Sequence, residues 1–355
     1  MTRPGVNAAI RRLESGPAPL GPRTAAKNAG LRTRRPRRRG STSSFADAAG
    51  AAAPVRAIFP LWISVDMWIS FSAMAVSLPA VSDFYSRHPI NEAQIMEALR
   101  RAGKDLRRLT PEDLFEWDQD HYGGLAAVEA VARRADIDPE SRVLDICAGL
   151  GGPARFLARR FGCRVVGVEL NSERCAAGRR LSALVGLDDR VRLVRGDAQA
   201  LPFGRAAFTA AVSQEGLLHV PGKAAVLGEC ARVLLPGGRF AFTDWIAHAR
   251  LADGERQRLA DWMAAVSLQS LVGYRELLAR AGFDGIEAED LSTEWIGILR
   301  RRLEMYRAMR EDTVTRFGQG RYDEYNQLYA FFVRLVESGK LGGARFSARA
   351  RPAGA

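Results

Sequence analysis

The chain has 355 residues, 47% of them apolar, which exceeds one ordinary domain and is enough to bury a substantial core. A formal net charge of +12 and an isoelectric point near 10.2 would ordinarily suggest a nucleic-acid partner. Residues 1–40, however, hold eleven basic residues against one acid, Glu14, and so carry +10 of that charge. Because the remainder is almost neutral, we predict no basic binding face on the folded part and no nucleic-acid partner.

Three interpretations of residues 1–73 are open. A basic tail followed by the apolar stretch 57–80 suggests a membrane anchor, but Asp66 lies in its middle and prolines stand near its ends. A targeting segment would have a shorter apolar region nearer the start. We favour the third interpretation, in which translation begins at Met74 or Met67 and residues 1–73 are a non-native or disordered extension, because nothing before Met74 shows packing periodicity. It predicts a cytoplasmic protein with no membrane partner.

The cysteines show no CxxC pair and no cysteine–histidine metal spacing. The sequence also contains no HExxH, Walker loop or G-x-S-x-G elbow, so metal, nucleotide-triphosphate and serine-hydrolase mechanisms have no residues to use. We predict no bound metal. The cysteines lie in or beside predicted strands and helices, as small core residues of a reduced cytosolic protein do: Cys147, Cys163, Cys175 and Cys230.

Strands and helices are predicted to alternate through the middle of the chain. Helices at 91–103 and 124–135 precede strands at 142–148, 164–170, 191–197, 208–214 and 239–245, with helices at 153–161, 172–185 and 223–235 among them. Such alternation predicts an α/β fold with a parallel sheet and helices on both faces.

The last third of the chain is predicted to add two strands, at 286–291 and 344–350, and a helix at 273–281. Further helical stretches at 253–268, 295–317 and 322–338 are predicted to form a lid over the carboxyl ends of the strands, where open α/β sheets bind ligands. The predicted organisation is therefore a helical cap at 74–123 and one α/β domain at 124–355 with a helical insertion at about 294–338.

The most informative segment is VLDICAGLGGPA, residues 143–154. An apolar strand ends in the carboxylate of Asp145, and a glycine turn then opens a helix. Gly149, Gly151 and Gly152 remove the side chains that would keep a ligand off the backbone. Such a turn is typical of a nucleoside-binding site.

The same segment satisfies the dinucleotide fingerprint G-x-G-x-x-G/A through Gly149, Gly151 and Ala154. Glu169 follows at about the distance of a ribose-binding acid, so an NAD-type enzyme is one alternative. Against it, Asp145 puts a negative charge at the strand end, where a carboxylate suits a cationic ligand better than a pyrophosphate.

Three later segments carry further signals. Asp197 follows the apolar run 191–194, and a carboxylate there can accept a hydrogen bond from an adenine amino group. The sequence Ser-Gln-Glu at 213–215 ends the next apolar run. A helix end and glycine turn at 233–239 then lead into the strand that contains Phe-Thr-Asp-Trp.

In order and spacing, these motifs resemble the class I S-adenosylmethionine-dependent methyltransferases over about residues 117–290. The resemblance implies a Rossmann-like seven-stranded sheet of order 3-2-1-4-5-7-6 with an antiparallel last strand. It also implies S-adenosylmethionine as co-substrate. In such an enzyme Asp145 and the glycines Gly149, Gly151 and Gly152 would hold the methionine portion, Glu169 the ribose, Asp197 and Ala198 the adenine, and Gln214 the methionine ammonium.

Finer likeness in residues 117–124 and 213–223 resembles the bacterial sarcosine/dimethylglycine and phosphoethanolamine N-methyltransferase branch. This implies a small-molecule acceptor with an amine nitrogen, while O- or C-methylation of a natural product and a non-catalytic cofactor sensor stay as alternatives. An ammonium must lose a proton before it attacks, and Glu215, His219 and His121 are candidates to receive it, with His219 the better of the two histidines. Tyr122 is predicted to aim its phenol at the transferred methyl group.

Overall fold

Seven strands form one mixed sheet at the centre of the fold. They are β1 (Arg142–Ile146), β2 (Arg164–Glu169), β3 (Val191–Arg195), β4 (Phe208–Gln214), β5 (Leu234–Ala247), β6 (Phe283–Asp290) and β7 (Leu341–Ala350). Their order is β3-β2-β1-β4-β5-β7-β6, and β7 runs antiparallel to both β5 and β6. The predicted order and the antiparallel last strand are confirmed. A dinucleotide-binding sheet has the order 3-2-1-4-5-6, so the topology departs from that alternative.

The computed structural model describes Val81, Tyr85 and residues 90–352, except for the side chain of residue 316. The predicted extension at 1–73, the membrane-anchor interpretation of 57–80 and the proposed start at Met74 all lie outside these residues. No helix within the described part combines the length and the apolar character that crossing a bilayer requires.

Helices pack on both faces of the sheet. They are α1 (Glu92–Arg101), α2 (Pro111–Phe115), α3 (Gly124–Arg134), α4 (Gly152–Phe161), α5 (Ser172–Leu184), α6 (Lys223–Val233), α7 (Asp253–Met263), α8 (Leu271–Arg280), α9 (Ser292–Ala308), α10 (Arg310–Phe317) and α11 (Gln319–Glu337). A 3-10 turn at Leu217–His219 follows β4.

Alternate residues of β1 point to opposite faces of the sheet, as a strand requires. Val143 joins a buried cluster with apolar residues of α1 and α3–α5, whereas Leu144 joins a second cluster with residues of α6 and α8. Both side chains are fully buried. The continuous apolar run of β1 is therefore the sequence of a strand covered by helices on both sides.

The helix α5 begins where the sequence supplies a capping side chain. Asn171 accepts hydrogen bonds from the backbone N–H groups of Glu173 and Arg174, which satisfies two donors that a helix start leaves open. Because β2 ends at Glu169, this cap makes the chain turn at once and keeps the strand end next to the helix start.

Several predicted boundaries are wrong. The helix predicted over 253–268 ends at Met263, and the strands predicted to begin at 286 and 344 begin at Phe283 and Leu341.

The boundary before β5 is also wrong. The helix expected to run through residue 235 ends at Val233, and β5 begins at Leu234 instead of residue 239. Leu234 pairs with Phe208 before the register shifts at the glycine turn. Gly238 sits so close to β4 that a Cβ would lie 2.9 Å from the carbonyl oxygen of Thr209. This close approach keeps the turn paired with the neighbouring strand.

The helical insertion after β6 has three helices, α9–α11, where the two stretches 295–317 and 322–338 were predicted. Its anchor is an aromatic cluster at the end of β5, where the ring of Trp245 lies 5.0 Å from Trp295 of α9 and 5.6 Å from Phe332 of α11, centroid to centroid. All three side chains are buried. The insertion is thus packed onto the carboxyl end of a central strand.

Candidate active site

A cleft of about 930 Å³ opens at the carboxyl ends of β1, β2 and β4. This is the position at which open α/β sheets bind ligands. Nine of the predicted site residues line it: Asp145, Gly149, Gly152, Glu169, Asp197, Ala198, Gln214, Glu215 and His219. Gly151 and Tyr122 are not among the lining residues.

The glycine turn brings the backbone of the cleft wall into close contact with its neighbours. Gly149 and Gly151 adopt φ values of 57° and 76°, which favour glycine. A Cβ on Gly152 would lie 2.0 Å from the carbonyl oxygen of Asp118. Gly151 itself faces the protein, since a Cβ there would meet Leu193 at 3.0 Å, so its contribution is the shape of the turn.

Glu169 ties the end of β2 to the glycine turn. Its carboxylate accepts hydrogen bonds from the backbone N–H groups of Gly149 at 2.9 Å and Asn171 at 2.8 Å. Burial raises the pKa of Glu169, while Arg174 and these backbone donors lower it. Each carboxylate oxygen has two lone pairs, so acceptor capacity remains for a ligand.

Asp145 is buried at the end of β1 and is poorly satisfied. Its Oδ2 atom has no hydrogen-bond partner among the residues that the structure describes. Burial, together with the negative charge of Glu169, raises the pKa of Asp145 to about 7. Two carboxyl groups in one buried site favour a cationic ligand, because its charge would relieve their repulsion.

The carboxylate of Asp197 is held at the opposite edge of the cleft. It accepts hydrogen bonds from the backbone N–H of Gln199 at 2.8 Å and from the Gln199 side-chain amide. The oxygen of that amide in turn accepts from the backbone N–H of Gly222 at 3.1 Å. Ala198 is buried beside them. This edge therefore offers a carboxylate in a fixed orientation.

Glu215 has a strained backbone and an anchored side chain. Its φ is 52°, in the left-handed region. Both carboxylate oxygens accept from the backbone N–H of Tyr122, at 2.9 and 3.1 Å. Burial raises the pKa of Glu215 well above its usual range, against the lowering effect of the Tyr122 hydrogen bond and of Arg302.

The ring of Tyr122 packs away from the cleft. It lies 5.5 Å from the ring of Trp245 and 5.0 Å from that of Trp295, and the guanidinium of Arg302 sits 4.5 Å above it. Within the described residues, Tyr122 contacts the site residue Glu215 through its peptide N–H.

His219 is oriented by hydrogen bonds at both ring nitrogens. Nδ1 lies 3.0 Å from the carbonyl oxygen of Ala264, which can only accept, so Nδ1 carries the hydrogen. In the neutral ring Nε2 is then a bare acceptor, and the hydroxyl of Tyr85 donates to it at 2.8 Å. In this tautomer the basic nitrogen is Nε2, which lies against the hydroxyl of Tyr85, another residue that lines the cleft.

A buried polar cluster supports the turn that carries His219. The ammonium of Lys223 donates to the carbonyl oxygens of Leu217 at 2.7 Å and Ser267 at 2.6 Å. Asp244 accepts from Leu218 N–H at 3.3 Å and from the Tyr274 hydroxyl. Burial raises the pKa of Asp244 to about 6 and lowers that of Lys223. Sequence reasoning did not assign a role to Lys223.

Comparison with known proteins gives the domain its class. Residues 143–238 match the family model described as a methyltransferase domain. The chain therefore carries a methyltransferase domain. This match begins in β1, includes the glycine turn and β2–β4, and ends within β5, one residue before Arg239 pairs with Ala210.

Relatives of the methyltransferase domain include enzymes with different acceptors. The chain is 37% identical over 165 residues to a glycine/sarcosine/dimethylglycine N-methyltransferase of Actinopolyspora halophila, covering 46% of this chain and 29% of that protein. It is 36% identical over 166 residues to a sterol 24-C-methyltransferase of Eremothecium gossypii, covering 45% and 44%. The chain thus spans less than half the length of either relative.

Among solved structures, the fold resembles the Haemonchus contortus phosphoethanolamine N-methyltransferase 2 in complex with phosphomonomethylethanolamine and S-adenosylhomocysteine. The TM-score is 0.62 at 23% identity, over 77% of this chain and 60% of that chain. This likeness shows the methyltransferase fold.

Two cleft residues of the methyltransferase domain were missed by sequence reasoning. Arg174 donates to the carboxylate of Asp120 at 3.0 Å and to the Ile90 carbonyl at 3.2 Å, and its guanidinium lies 4.5 Å from the ring of Tyr85. Tyr85 stands in a segment without clear periodicity, so no local pattern marked it. The only available signal for Arg174 was its place in the first turns of the helix after β2.

No group of three or more histidine, cysteine, aspartate or glutamate side chains within the described residues is arranged to hold a metal ion. The four cysteines are free, with Cys147 half-buried in the cleft wall and the other three buried. Burial raises the pKa of Cys147 well above its usual range, which makes its thiol a poor nucleophile.

Proposed function

We propose that this protein transfers a methyl group from S-adenosylmethionine to the nitrogen of a small amine. The observation that carries the proposal is the gathering of Asp145, Glu169 and Glu215 around one cleft at the carboxyl ends of the strands. A sulfonium and an ammonium are both cations, so both are favoured by such a site. The division into a helical cap at 74–123 and one α/β domain at 124–355, with a helical insertion at about 294–338, is part of the same proposal.

The residues present fit the donor. Asp145 has a buried oxygen without a partner in the described part of the chain, and Glu169 keeps lone pairs beyond its two backbone bonds. We assign Glu169 to the ribose hydroxyls, Asp197 with Ala198 to the adenine edge, and Asp145 with the glycine turn to the methionine portion. When bound, S-adenosylmethionine supplies a methyl group that its positive sulfur already activates.

His219 is the proposed proton acceptor. An ammonium must lose a proton before its lone pair can attack, and His219, which lines the cleft, has a basic nitrogen in Nε2. The Tyr85 hydroxyl donates to this nitrogen, so the ammonium proton would pass to the Tyr85 oxygen while the hydroxyl proton passes to Nε2. Glu215, anchored on the N–H of Tyr122, would orient the ammonium. Alignment of this kind is worth about 7–11 kcal/mol in a displacement reaction.

The relatives support an amine acceptor and also favour one alternative. The glycine/sarcosine/dimethylglycine enzyme supports nitrogen, whereas the sterol enzyme, at nearly the same identity, supports methylation at carbon. C- or O-methylation of a natural product is therefore the second candidate. An acceptor of that kind does not need the ammonium-binding carboxylate of Glu215.

We also propose a small-molecule acceptor in the cytoplasm, with no nucleic-acid or membrane partner. The support is that residues 1–40 carry +10 of the net charge of +12, which leaves the remainder almost neutral. The four free cysteines are further support for a reducing compartment.

The first test is calorimetric titration of S-adenosylmethionine, S-adenosylhomocysteine and NADH into the full chain. We expect both adenosyl ligands to bind and an Asp145→Ala, Glu169→Ala double variant to weaken them at least tenfold. A double variant of exposed acids, Asp253→Ala with Glu276→Ala, is the matched control and should bind normally. Binding of NADH alone would contradict the proposal.

The second test detects methylated products by mass spectrometry after incubation with sarcosine, ethanolamine, phenols and a sterol. Methylation of an amine, lost in His219→Ala and reduced in Tyr85→Phe, is the expected result. Methylation of the phenol or sterol alone would select the alternative. Donor binding without any product would favour a cofactor sensor.

A further inference from the structure

We propose that Gln214 presents its amide oxygen, and not its amide nitrogen, to an ammonium group in the cleft. We further propose that a buried chain of polar residues starting at Arg155 decides this orientation. The inference deepens the proposed function and rests on it for the identity of the ligand. Gln214, at the end of β4, lines the cleft next to Glu215.

The chain starts at a charge pair with no exposure to solvent. The side chains of Arg155 and Asp118 are both 0% exposed. Arg155 donates to the Oδ2 atom of Asp118 through Nε at 3.1 Å and Nη2 at 2.9 Å, and through Nη1 to Gly178 O and Ser182 Oγ. Asp118 is the carboxylate of this ion pair, and a carboxylate can only accept hydrogen bonds.

That carboxylate fixes the amide of Gln119. The nitrogen Nε2 of Gln119 lies 2.7 Å from Oδ1 of Asp118, so the amide nitrogen must face the carboxylate. Its oxygen Oε1 then faces His121, 3.0 Å from the ring nitrogen Nε2. Because an amide oxygen only accepts, Nε2 of His121 carries the hydrogen.

The tautomer of His121 fixes Gln214 in turn. In the neutral ring with a hydrogen on Nε2, the other nitrogen, Nδ1, accepts. It lies 3.2 Å from the carbonyl oxygen of Tyr122, which cannot donate, and 3.3 Å from the amide nitrogen of Gln214, which can. The amide of Gln214 is therefore held with its nitrogen toward His121.

This orientation leaves the oxygen of Gln214 in need of a donor. Oε1 is buried and has no hydrogen-bond partner within the part of the chain that the structure describes. A buried carbonyl oxygen without a donor is costly, and a ligand N–H relieves that cost. An ammonium suits it best, since the half-buried carboxylate of Glu215 follows directly in the sequence.

Two ligands carry an ammonium of this kind: the methionine portion of the donor and the amine acceptor. Their shared chemistry is a cationic N–H donor, and separate titrations distinguish them. For the donor, the probes are S-adenosylhomocysteine and its analogue without the amino group. For the acceptor, the probe is dimethylamine, titrated into protein saturated with S-adenosylhomocysteine.

We expect Gln214→Leu to weaken binding of the ammonium group that Gln214 contacts, which belongs either to the donor or to the acceptor. If the donor is the ligand, the factor by which S-adenosylhomocysteine binds more tightly than its analogue without the amino group falls about tenfold. If the acceptor is the ligand, dimethylamine binds about tenfold more weakly. Gln327→Leu, on an exposed part of α11, is the matched control and should change neither. An unchanged preference in both titrations would overturn the proposal.

The orientation is tested by combining two substitutions. His121→Phe removes the acceptor that holds the nitrogen of Gln214, so it should weaken ammonium binding in the native background. Gln214→Glu offers an oxygen whichever way it turns, so in that background His121→Phe should have little further effect. An equal loss in both backgrounds would make His121 a packing residue only and overturn the relay.

Two further measurements keep the test independent of folding and of the donor assignment. Gln119→Leu breaks the relay one step earlier and should act in the same direction as His121→Phe, with thermal unfolding recorded for each variant. Normal binding of S-adenosylhomocysteine with no effect of these variants would contradict the relay alone. Failure of the native protein to bind S-adenosylhomocysteine would contradict the proposed function as well.

Discussion

The Cβ atom of Cys147 lies 2.4 Å from the position that a Cβ on Gly216 would occupy. Cys147 follows β1 and Gly216 follows β4, so this contact joins the two turns that form the floor of the cleft. The φ of Cys147 is 59°, in the region that favours glycine. The side chain is therefore on the residue with the left-handed backbone, Cys147, and the residue that faces it, Gly216, has none.

We expect Gly216→Ala to destabilise the protein by about 1–3 kcal/mol, because its φ of −103° suits alanine and the clash with Cys147 is the main opposition to the new methyl group, with Ser213 Oγ next at 3.3 Å. In a Cys147→Gly background that clash is absent, so the same substitution should cost much less. Urea unfolding of the four proteins measures the coupling. Gly228→Ala, where nothing lies within 4 Å of the new Cβ, is the control. Strictly additive effects would show that the contact is not the cause.

The ion pair of Arg155 and Asp118 gives a second stability prediction. Both side chains are 0% exposed, and Arg155→Met would leave a buried carboxylate without its partner. We expect a loss of about 3–5 kcal/mol in the free energy of unfolding. Arg159→Met, on the same helix as Arg155, breaks an exposed ion pair with Glu112 of α2 and should cost less than about 1 kcal/mol. Similar losses in the two variants would refute the assignment of Arg155 as a buried anchor.

The raised pKa of Asp145 predicts a pH-dependent stability. Its pKa rises from 3.8 to about 7 in the folded protein, through burial and Glu169, so the folded state binds a proton that the unfolded state releases. Stability is therefore lost as the pH rises from about 4 to about 7. Asp145→Asn removes this loss.

The variant should gain about 2–3 kcal/mol over the native protein between pH 5 and pH 8, while its affinity for S-adenosylmethionine falls. Chemical unfolding at several pH values measures the difference, with Asp253→Asn on the surface as the control. A difference that does not change with pH would contradict the shift.

Lys223 is expected to support both folding and turnover. Lys223→Met removes hydrogen bonds to the carbonyl oxygens of Leu217 and Ser267 and takes a positive charge from Asp244. We expect a loss of at least about 2 kcal/mol and a slower reaction, because the turn bearing His219 loses its anchor. Lys104→Met, which breaks an ion pair in which Lys104 is 48% exposed, should leave the turnover number unchanged. Normal turnover by folded Lys223→Met protein would show that catalysis does not need the hydrogen bonds of Lys223 to this turn.

The sheet order could be predicted because the motifs appear in a fixed sequence along the chain, and β-strand and helix patterns alternate between them. The gathering of Asp145, Glu169, Asp197 and Gln214 in one cleft also follows from the sequence, since parallel strands bring their carboxyl ends to one edge. Element ends were less predictable. Leu234 joined β5 because the tertiary pairing with Phe208 extended the strand beyond its local pattern.

The contacts that orient these side chains were decided only by the tertiary structure. Tyr85 reaches His219 across 134 positions, and Tyr122 reaches Glu215 across 93, and in the second case the contact is a peptide N–H that every residue except proline carries. Local periodicity cannot encode such partners. The sequence by itself determined which residue types end each strand, and therefore the chemistry of the cleft. The packing of distant segments determined which nitrogen of His219 carries the hydrogen and which residues orient its ring.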